Sequence, residues 1–317
     1  MEVFEGAEFV LLRSVEHGTY LHAAEDGRGV RLDARRASHH AAWAVERLQA
    51  AGGGGGTRRV LLRGVYGRYL GAPDPWPALP CGRRAADQRD RDEAEPRGAM
   101  WRAVGTGAGA GVVLLHDAYG RYLRANCRSL PCRAGVAVAG GGGLAPTMQW
   151  AVEAIPWTFV RPDLPIPRDP EWARMFDRVC RPLAGLRRWV WRAYQGREIR
   201  WVCGDDSGSF REEDWASIQH SGRSAILLRS ELAHVTQRFY RLTLCIRAGR
   251  HGQPTPLAVD LPRSREPLDI VLLRAHSRAA GLRYPDVRDE PAGAAEEAAA
   301  DLASLKASQF DIDLQVF

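Results

Sequence analysis

Hydrophobic and polar positions in the first half of the chain follow a pattern that occurs three times. A short apolar run, Phe9-Val10-Leu11-Leu12, Val60-Leu61-Leu62 or Val112-Val113-Leu114-Leu115, meets a basic residue, Arg13, Arg63 or His116. A polar turn and a Tyr-Leu pair follow: His17-Gly18-Thr19-Tyr20-Leu21, Tyr66-Gly67-Arg68-Tyr69-Leu70 and Tyr119-Gly120-Arg121-Tyr122-Leu123. Each unit then reaches a Trp beside a strand-like segment, at Trp43, Trp101 and Trp150. Leu12 to Leu62 is 50 residues and Leu62 to Leu115 is 53, a period that marks an internal structural repeat.

Within a repeat, the apolar run reads as a buried strand. The turn Gly supplies the positive φ that a tight hairpin asks for. The Tyr-Leu pair opens the return strand, with a Tyr ring able to pack while its hydroxyl stays wet. Gly29-Val30-Arg31-Leu32-Asp33 alternates polar and apolar, as a half-buried strand does. Four strands in each of three repeats predict twelve, with Gly52 to Gly56 and Gly140 to Gly143 as exposed loops. Such units about a threefold axis make a β-trefoil: six strands close a barrel and three hairpins cap it, so no sheet edge is left open. The repeated Leu-Leu, Tyr-Leu and Trp positions are then core, and they report fold rather than function.

The second half reads differently. Pro156, Pro162, Pro165, Pro167 and Pro170 break regular structure and set a linker over 157–195 after the 1–156 trefoil. Within it, Glu171 to Phe176 begins a short helix that stops by Pro182. Leu186-Arg187-Arg188-Trp189-Val190-Trp191-Arg192 interleaves Arg with Trp, which suits stacking on single-stranded nucleic acid. The preferred reading is plainer: the Trp residues pack between domains with Arg stems laid over them. Residues 196–276 give the order ββαβββ of a β-grasp domain. Its strands are expected at Glu198 to Cys203, Trp215 to Gln219, Arg241 to Arg247, Leu257 to Leu261 and Asp269 to Leu273. A helix from Ser224, its N-cap, to Thr236 carries Leu228, Leu232 and Val235 on one face. No Gly-Gly follows the last strand, so a protein-interaction role is expected rather than conjugation. The fold class is therefore mainly β, a trefoil plus a small α+β domain. Residues 277–317 are Ala-, Glu- and Asp-rich and read as disordered or loosely helical, with Ala294 to Lys306 a marginal helix.

Charge and cysteine usage narrow the setting. The net charge is +6 and the pI about 9.2, and nearly every basic residue is Arg, Lys306 being the exception. From Asp286 onward eight acids face Arg288 and Lys306, leaving the body at +12, so an anionic partner and masking by the tail are both permitted. Six cysteines without a C-x-x-C pair suit reduced thiols in cytoplasm or nucleus. No secretory signal is read at Met1-Glu2-Val3-Phe4-Glu5, and no apolar run reaches the ~18 residues of a membrane span.

The search for chemistry predicts none. Gly204-Asp205-Asp206-Ser207-Gly208 shares letters with a serine-protease nucleophile loop, but a hairpin turn accounts for them. Neither a Gly-x-Ser-x-Gly nor a phosphate-cradling Gly-rich Lys motif occurs. His39-His40 and Cys127/Cys132 lack a second ligand pair, and Glu212-Glu213-Asp214 reads as a solvated turn. The expectation is a protein without catalytic residues, cofactor or metal.

The thrice-repeated Leu-Leu-Arg, Gly-x-Tyr-Leu and Trp-x-Val pattern resembles the fascin-like actin-crosslinking β-trefoils. A closer resemblance is to the plant family labelled domain of unknown function 569, in the opening Met1-Glu2-Val3-Phe4-Glu5-Gly6-Ala7 and in Gly196-Arg197-Glu198-Ile199. It covers about 1–156 and 195–276. The chain departs from that family in its poly-Gly loop, its Arg/Asp-rich stretch Cys81 to Arg97, and its use of Arg for Lys. Ricin-type trefoils carry Gln-x-Trp, which Ala41-Ala42-Trp43, Ala99-Met100-Trp101 and Met148-Gln149-Trp150 do not match. Growth-factor trefoils go with secretion and a Lys-rich patch, neither of which is read here. The fascin-like resemblance implies an acidic protein partner, with filamentous actin the candidate. Arg13, Arg63, Arg68, Arg121 and Arg124, near the hairpin turns, would carry the complementary charge. One trefoil offers few sites, so bundling would need the second domain or a dimer. The alternatives are an adaptor acting through the β-grasp domain, without a cytoskeletal role, and nucleic-acid binding through the linker.

Overall fold

The computed structural model describes residues 2–48, 59–72, 83–107, 109, 111–126, 135–140, 145–165, 196–205, 207–237, 242–274 and 282–288. Repeat one supplies β1 (Phe9–Ser14), β2 (Tyr20–Ala23), β3 (Val30–Asp33) and β4 (Trp43–Leu48). Repeat two supplies β5 (Arg59–Arg63), β6 (Tyr69–Gly71), β7 (Arg83–Ala85), β8 (Asp87–Arg89) and β9 (Arg102–Gly105). Repeat three supplies β10 (Val112–His116), β11 (Tyr122–Ala125), β12 (Val136–Ala139) and β13 (Gln149–Ile155).

The barrel closes as expected. β1 pairs with β13 and β4, β4 with β5, Val60 of β5 bridges Trp101 just before β9, β9 pairs with β10, and β10 returns to β13. The hairpins β2–β3, β6–β8 and β11–β12 form the cap. One count differs. The third strand of repeat two is split at the buried Ala86, so that β8 pairs with β6 while β7 pairs with β12 of the next repeat. Among the described residues that gives thirteen strands where twelve were expected, and it places part of the Arg/Asp-rich stretch inside the cap.

Trp43, Trp101 and Trp150 are fully buried in one core with Leu12, Leu62 and Leu115. A buried indole N–H needs an acceptor. Each finds the carbonyl of its own repeat's Tyr-Leu: Trp43 Nε1 donates to Leu21 at 3.0 Å, Trp101 to Leu70 at 2.8 Å and Trp150 to Leu123 at 3.1 Å. Three equivalent bonds are the pseudo-threefold in chemical form. The turn glycines Gly18, Gly67 and Gly120 all have positive φ, at 64°, 72° and 77°.

Beyond the trefoil, β14 (Trp157–Thr158) leads toward the second domain. That domain holds β15 (Arg197–Cys203), β16 (Ala216–His220), helix α1 (Ala225–Val235), β17 (Leu242–Arg247), β18 (Thr255–Pro256) and β19 (Leu268–Arg274). Sheet order is β16-β15-β19-β17-β18, with β15 and β19 parallel at its centre. The Ser224 hydroxyl accepts from Leu227 N at 3.3 Å and caps α1, which buries Ala225, Leu228 and Leu232 against one sheet face. Val235 is 49% exposed, because the helix ends there. The strand expected over Leu257 to Leu261 is instead the two-residue β18. Pro254 and Pro256 offer no N–H to a longer ladder, while Leu257 and Leu261 still reach the core. The opposite sheet face, with Val202, Cys245, Val271 and Leu273, is covered by Phe210, Trp215 and Leu282.

Part of the tail expected to be loose is not. Tyr284–Pro285 forms β20, antiparallel to β14, and Tyr284 is buried. An aromatic ring and a strand partner hold this stretch against the molecule despite its polar neighbours. The helix expected from Glu171, the Arg/Trp stretch 186–192, Gly52 to Gly56 and the helix expected at 294–306 lie outside the described residues. Among the described residues no helix is long and apolar enough to cross a membrane.

Candidate functional site

The most built polar feature of the molecule is the seam between its two domains, and the turn of repeat two lies at its centre. Gly67 approaches β17 so closely that an added Cβ would sit 3.0 Å from the Ile246 carbonyl oxygen. Arg68, next in the turn, is 5% exposed and reaches three acceptors. Its Nε donates to Asp90 at 2.7 Å, Nη1 to the Gly27 carbonyl at 2.7 Å and Nη2 to Glu266 at 2.7 Å. Tyr69 bonds Glu46 at 3.0 Å through its hydroxyl, which also accepts from the Gln253 amide at 3.2 Å. Arg63 donates to Glu46 at 2.7 Å and to the Thr255 hydroxyl.

Further contacts widen the seam. Arg28 pairs with Glu266 at 3.0 Å and Asp90 at 3.1 Å, and Glu25 pairs with Arg263 at 3.0 Å and Arg223 at 3.4 Å. Burial pushes the Glu25 and Glu266 carboxyls up, but their arginine partners outweigh it and hold both below the ordinary range. Backbone joins backbone too: Arg91 N donates to the Ala248 carbonyl at 2.9 Å and His251 N to that of Arg91 at 2.8 Å. Gly249 allows this approach, since an added Cβ would stand 2.5 Å from Arg91 backbone. Arg197, at the head of β15, is buried with Nη2 donating to the Pro262 carbonyl; burial and nearby Arg223 lower its guanidinium to about 10. The two stretches singled out in sequence, Tyr66-Gly67-Arg68-Tyr69 and Gly196-Arg197, thus serve one domain junction.

Residues 1–152 match the family model described as beta-trefoil domain of unknown function (DUF569), and residues 195–273 match the DUF569 associated ubiquitin-like domain. The chain carries the DUF569 trefoil domain and the ubiquitin-like domain associated with it. No curated protein is similar enough to match it. Similar solved structures include the designed 3-fold symmetric protein ThreeFoil, at 18% identity and TM-score 0.35 over 46% of this chain and 97% of that one. They also include the Macrolepiota procera ricin B-like lectin solved in complex with lactose, at 12% identity and TM-score 0.35 over 47% and 96%. At these values neither bears on what the DUF569 chain binds.

The arginines singled out in sequence do not form one surface. Arg63 and Arg68 turn inward and hold the ubiquitin-like domain, which corrects their assignment to an outward-facing patch; their partners come from distant sequence. Arg121 is tied to Asp117 of its own turn at 2.7 Å, and its guanidinium lies over the Tyr119 ring at 5.2 Å. Arg13, with a side chain 46% exposed, pairs with Glu153 at 3.2 Å. Arg124 is half-buried on β11. The turns of repeats one and three stay open, with nothing within 4 Å of a Cβ added at Gly18 or Gly120.

This asymmetry is testable. Gly67→Ala and Gly120→Ala both force a side chain into positive φ, a cost of about 1 kcal/mol. Gly67→Ala also drives Cβ against the Ile246 carbonyl, so it is expected to lose roughly 2 kcal/mol against about 1 for Gly120→Ala in urea unfolding. Equal losses would mean that the seam does not rest on this turn.

At the rim of the seam a cleft of about 460 Å³ is lined by Arg68, Asp90, Arg200, Glu212, Arg247 and Asp269. Several of its charges pair with one another: Arg200 meets Asp269 at 2.6 Å and Arg247 meets Glu212 at 2.8 Å. Burial raises the Asp269 carboxyl, and the Arg247 hydrogen bond holds Glu212 low. With Asp92 and Arg250, which also line it, the cleft carries four charges of each sign, so it offers a ligand no net charge. Among the described residues Ser207 bonds to Asp205 and Ser209 within its exposed turn. The strand expected at Trp215 to Gln219 is β16, and what sequence did not show is that it pairs with β15 alone among the described strands.

Proposed function

We propose that this DUF569 protein is a non-enzymatic cytoplasmic adaptor, in which the trefoil holds the ubiquitin-like domain rigidly and that domain recruits an extended protein segment on β16. The observation that carries this reading is the outer edge of β16, which no other described strand pairs with. Ala216, Ser217 and Gln219 are exposed, and the strand holds no Lys, Glu or Pro of the kind that blunts an edge. An edge of this kind accepts an added strand through main-chain hydrogen bonds. The non-enzymatic part rests on the sequence, which offers no nucleophile, phosphate or metal motif.

Peptide-library selection on the full chain, followed by titration, tests it. Selected peptides are expected to bind a Ser217→Lys, Gln219→Lys double variant at least about 10-fold more weakly than the wild type. Unchanged affinity would move the adaptor surface elsewhere. A second reading, binding of actin filaments by the trefoil, is favoured by the open turns of repeats one and three, where Val15 and Tyr119 are 44% and 42% exposed. It requires co-sedimentation with filaments that Tyr119→Ala reduces; a wild-type protein left wholly in the supernatant at low salt ends it.

A further inference from the structure

A groove runs along the outer side of β16, and two elements build it. Helix α1 carries Leu227, Glu231 and Val235 on one flank, each a turn from the next. Glu231 Oε2 lies 2.8 Å from Nδ1 of His220, the last residue of β16, so this flank is the one beside that strand. Leu227 and Val235 are 47% and 49% exposed, which leaves two large apolar side chains of this flank in water. The half-buried Ile218 packs on the same core as α1 and so points to this face of the sheet. Ser217 and Gln219 alternate with it and point to the other face. An edge strand also turns the N–H and C=O of alternate residues outward. The groove therefore suits an extended segment with apolar side chains at every second position and polar ones between them.

Such a segment occurs in this chain. Phe310, Ile312, Leu314 and Val316 alternate with Asp311, Asp313 and Gln315, without Gly or Pro. We propose, resting on the reading of β16 given above, that residues 310–316 add as a strand to β16 of their own chain. Ile312 and Leu314 then pack against Leu227 and Val235, and the two Asp side chains lie beside Ser217 and Gln219. The segment is thus an occupant that an outside partner has to displace. Reach and charge favour it. Residues 289–309 separate it from Arg288, a stretch that spans about 70 Å when extended, against about 45 Å for the width of a body this size. The chain from Asp286 onward carries a net −6 and the rest +12, so the two attract. A tether of this length holds the segment at about 1 mM. With a Kd on the order of 100 µM for the free segment, the groove is filled about nine-tenths of the time.

Fluorescence anisotropy with a labelled peptide of residues 308–317 tests the assignment on the full chain. The wild type is expected to bind the peptide about 10-fold more weakly than the double variant Ile312→Asp, Leu314→Asp, whose own segment no longer fits the groove. In that released variant, adding Leu227→Glu and Val235→Glu, singly and together, should weaken the peptide at least about 10-fold. Both positions are exposed, and thermal unfolding checks that the chains stay folded. Hydrogen exchange needs no peptide: the outward amides of β16 should exchange about 10-fold more slowly in the wild type than in the released variant. Equal exchange, equal peptide affinity, or affinity unmoved by the α1 changes in a folded chain overturns the proposal. Protection that rises with protein concentration places the segment on a second copy and overturns it too. Where library-selected peptides still bind at β16, the adaptor reading survives that loss; where neither they nor this peptide binds the released variant, both fall.

Discussion

Trp101→Ala is expected to cost the protein about 4 kcal/mol of stability, read as a shift of the urea midpoint at constant slope. The indole is fully buried among Val60, Leu62, Leu70 and the other two Trp residues, so truncation leaves a cavity that surrounding strands cannot close. It also strands the Leu70 carbonyl that the ring N–H satisfies at 2.8 Å. Trp101→Phe separates the two losses, since it keeps most of the volume and removes the hydrogen bond; it should cost about 2 kcal/mol. Because Trp43 and Trp150 occupy equivalent positions with equivalent bonds, their Ala variants should fall within about 1 kcal/mol of Trp101→Ala. A loss near zero for any of the three would contradict a shared pseudo-threefold core.

Arg68→Met is the second large effect, expected at about 3 kcal/mol and concentrated in the coupling between domains. The variant keeps an apolar stem of similar length while leaving Asp90, Glu266 and the Gly27 carbonyl without the guanidinium they share. Breaking a fully buried pair costs about 3–5 kcal/mol. Here the Glu266 and Asp90 side chains are 40% and 26% exposed, so water recovers part of the loss and the low end applies. The exposed pair of Arg13 with Glu153 is the control, and Arg13→Met should cost under about 1 kcal/mol. Differential scanning calorimetry should show one transition for wild type and two for Arg68→Met, as the trefoil and ubiquitin-like domain unfold separately. Acid should narrow the difference. The Glu266 carboxyl is held below its unfolded value of 4.5, so its contribution is present above that pH and lost as pH falls through the lower folded value. A single transition in Arg68→Met at neutral pH would show that the other contacts of the seam suffice.

The candidate site was legible only in outline. Tyr66-Gly67-Arg68-Tyr69 stood out because it recurs, and Gly196-Arg197 because it carries part of the family resemblance, yet nothing local says that the two lie at one junction. The groove beside β16 is built by Ile218 of a strand and by Leu227 and Val235 of a helix, so no spacing within either could reveal it. The outer edge of β16 likewise depends on sheet order, which no run of residues states.

What the sequence determined by itself is what short-range physics controls. Apolar runs bounded by polar turns form strands, a Gly takes positive φ, Ser224 caps a helix, and a Trp spaced after each Tyr-Leu finds that pair's carbonyl; three copies then close a barrel. Tertiary structure decided which copy does what. Tyr66 and Tyr119 sit in identical Tyr-Gly-Arg-Tyr-Leu segments, yet one is 1% exposed and the other 42%. The difference is made by β17, β18 and Glu266, some two hundred residues further along the chain, which cover one turn and leave the other in water.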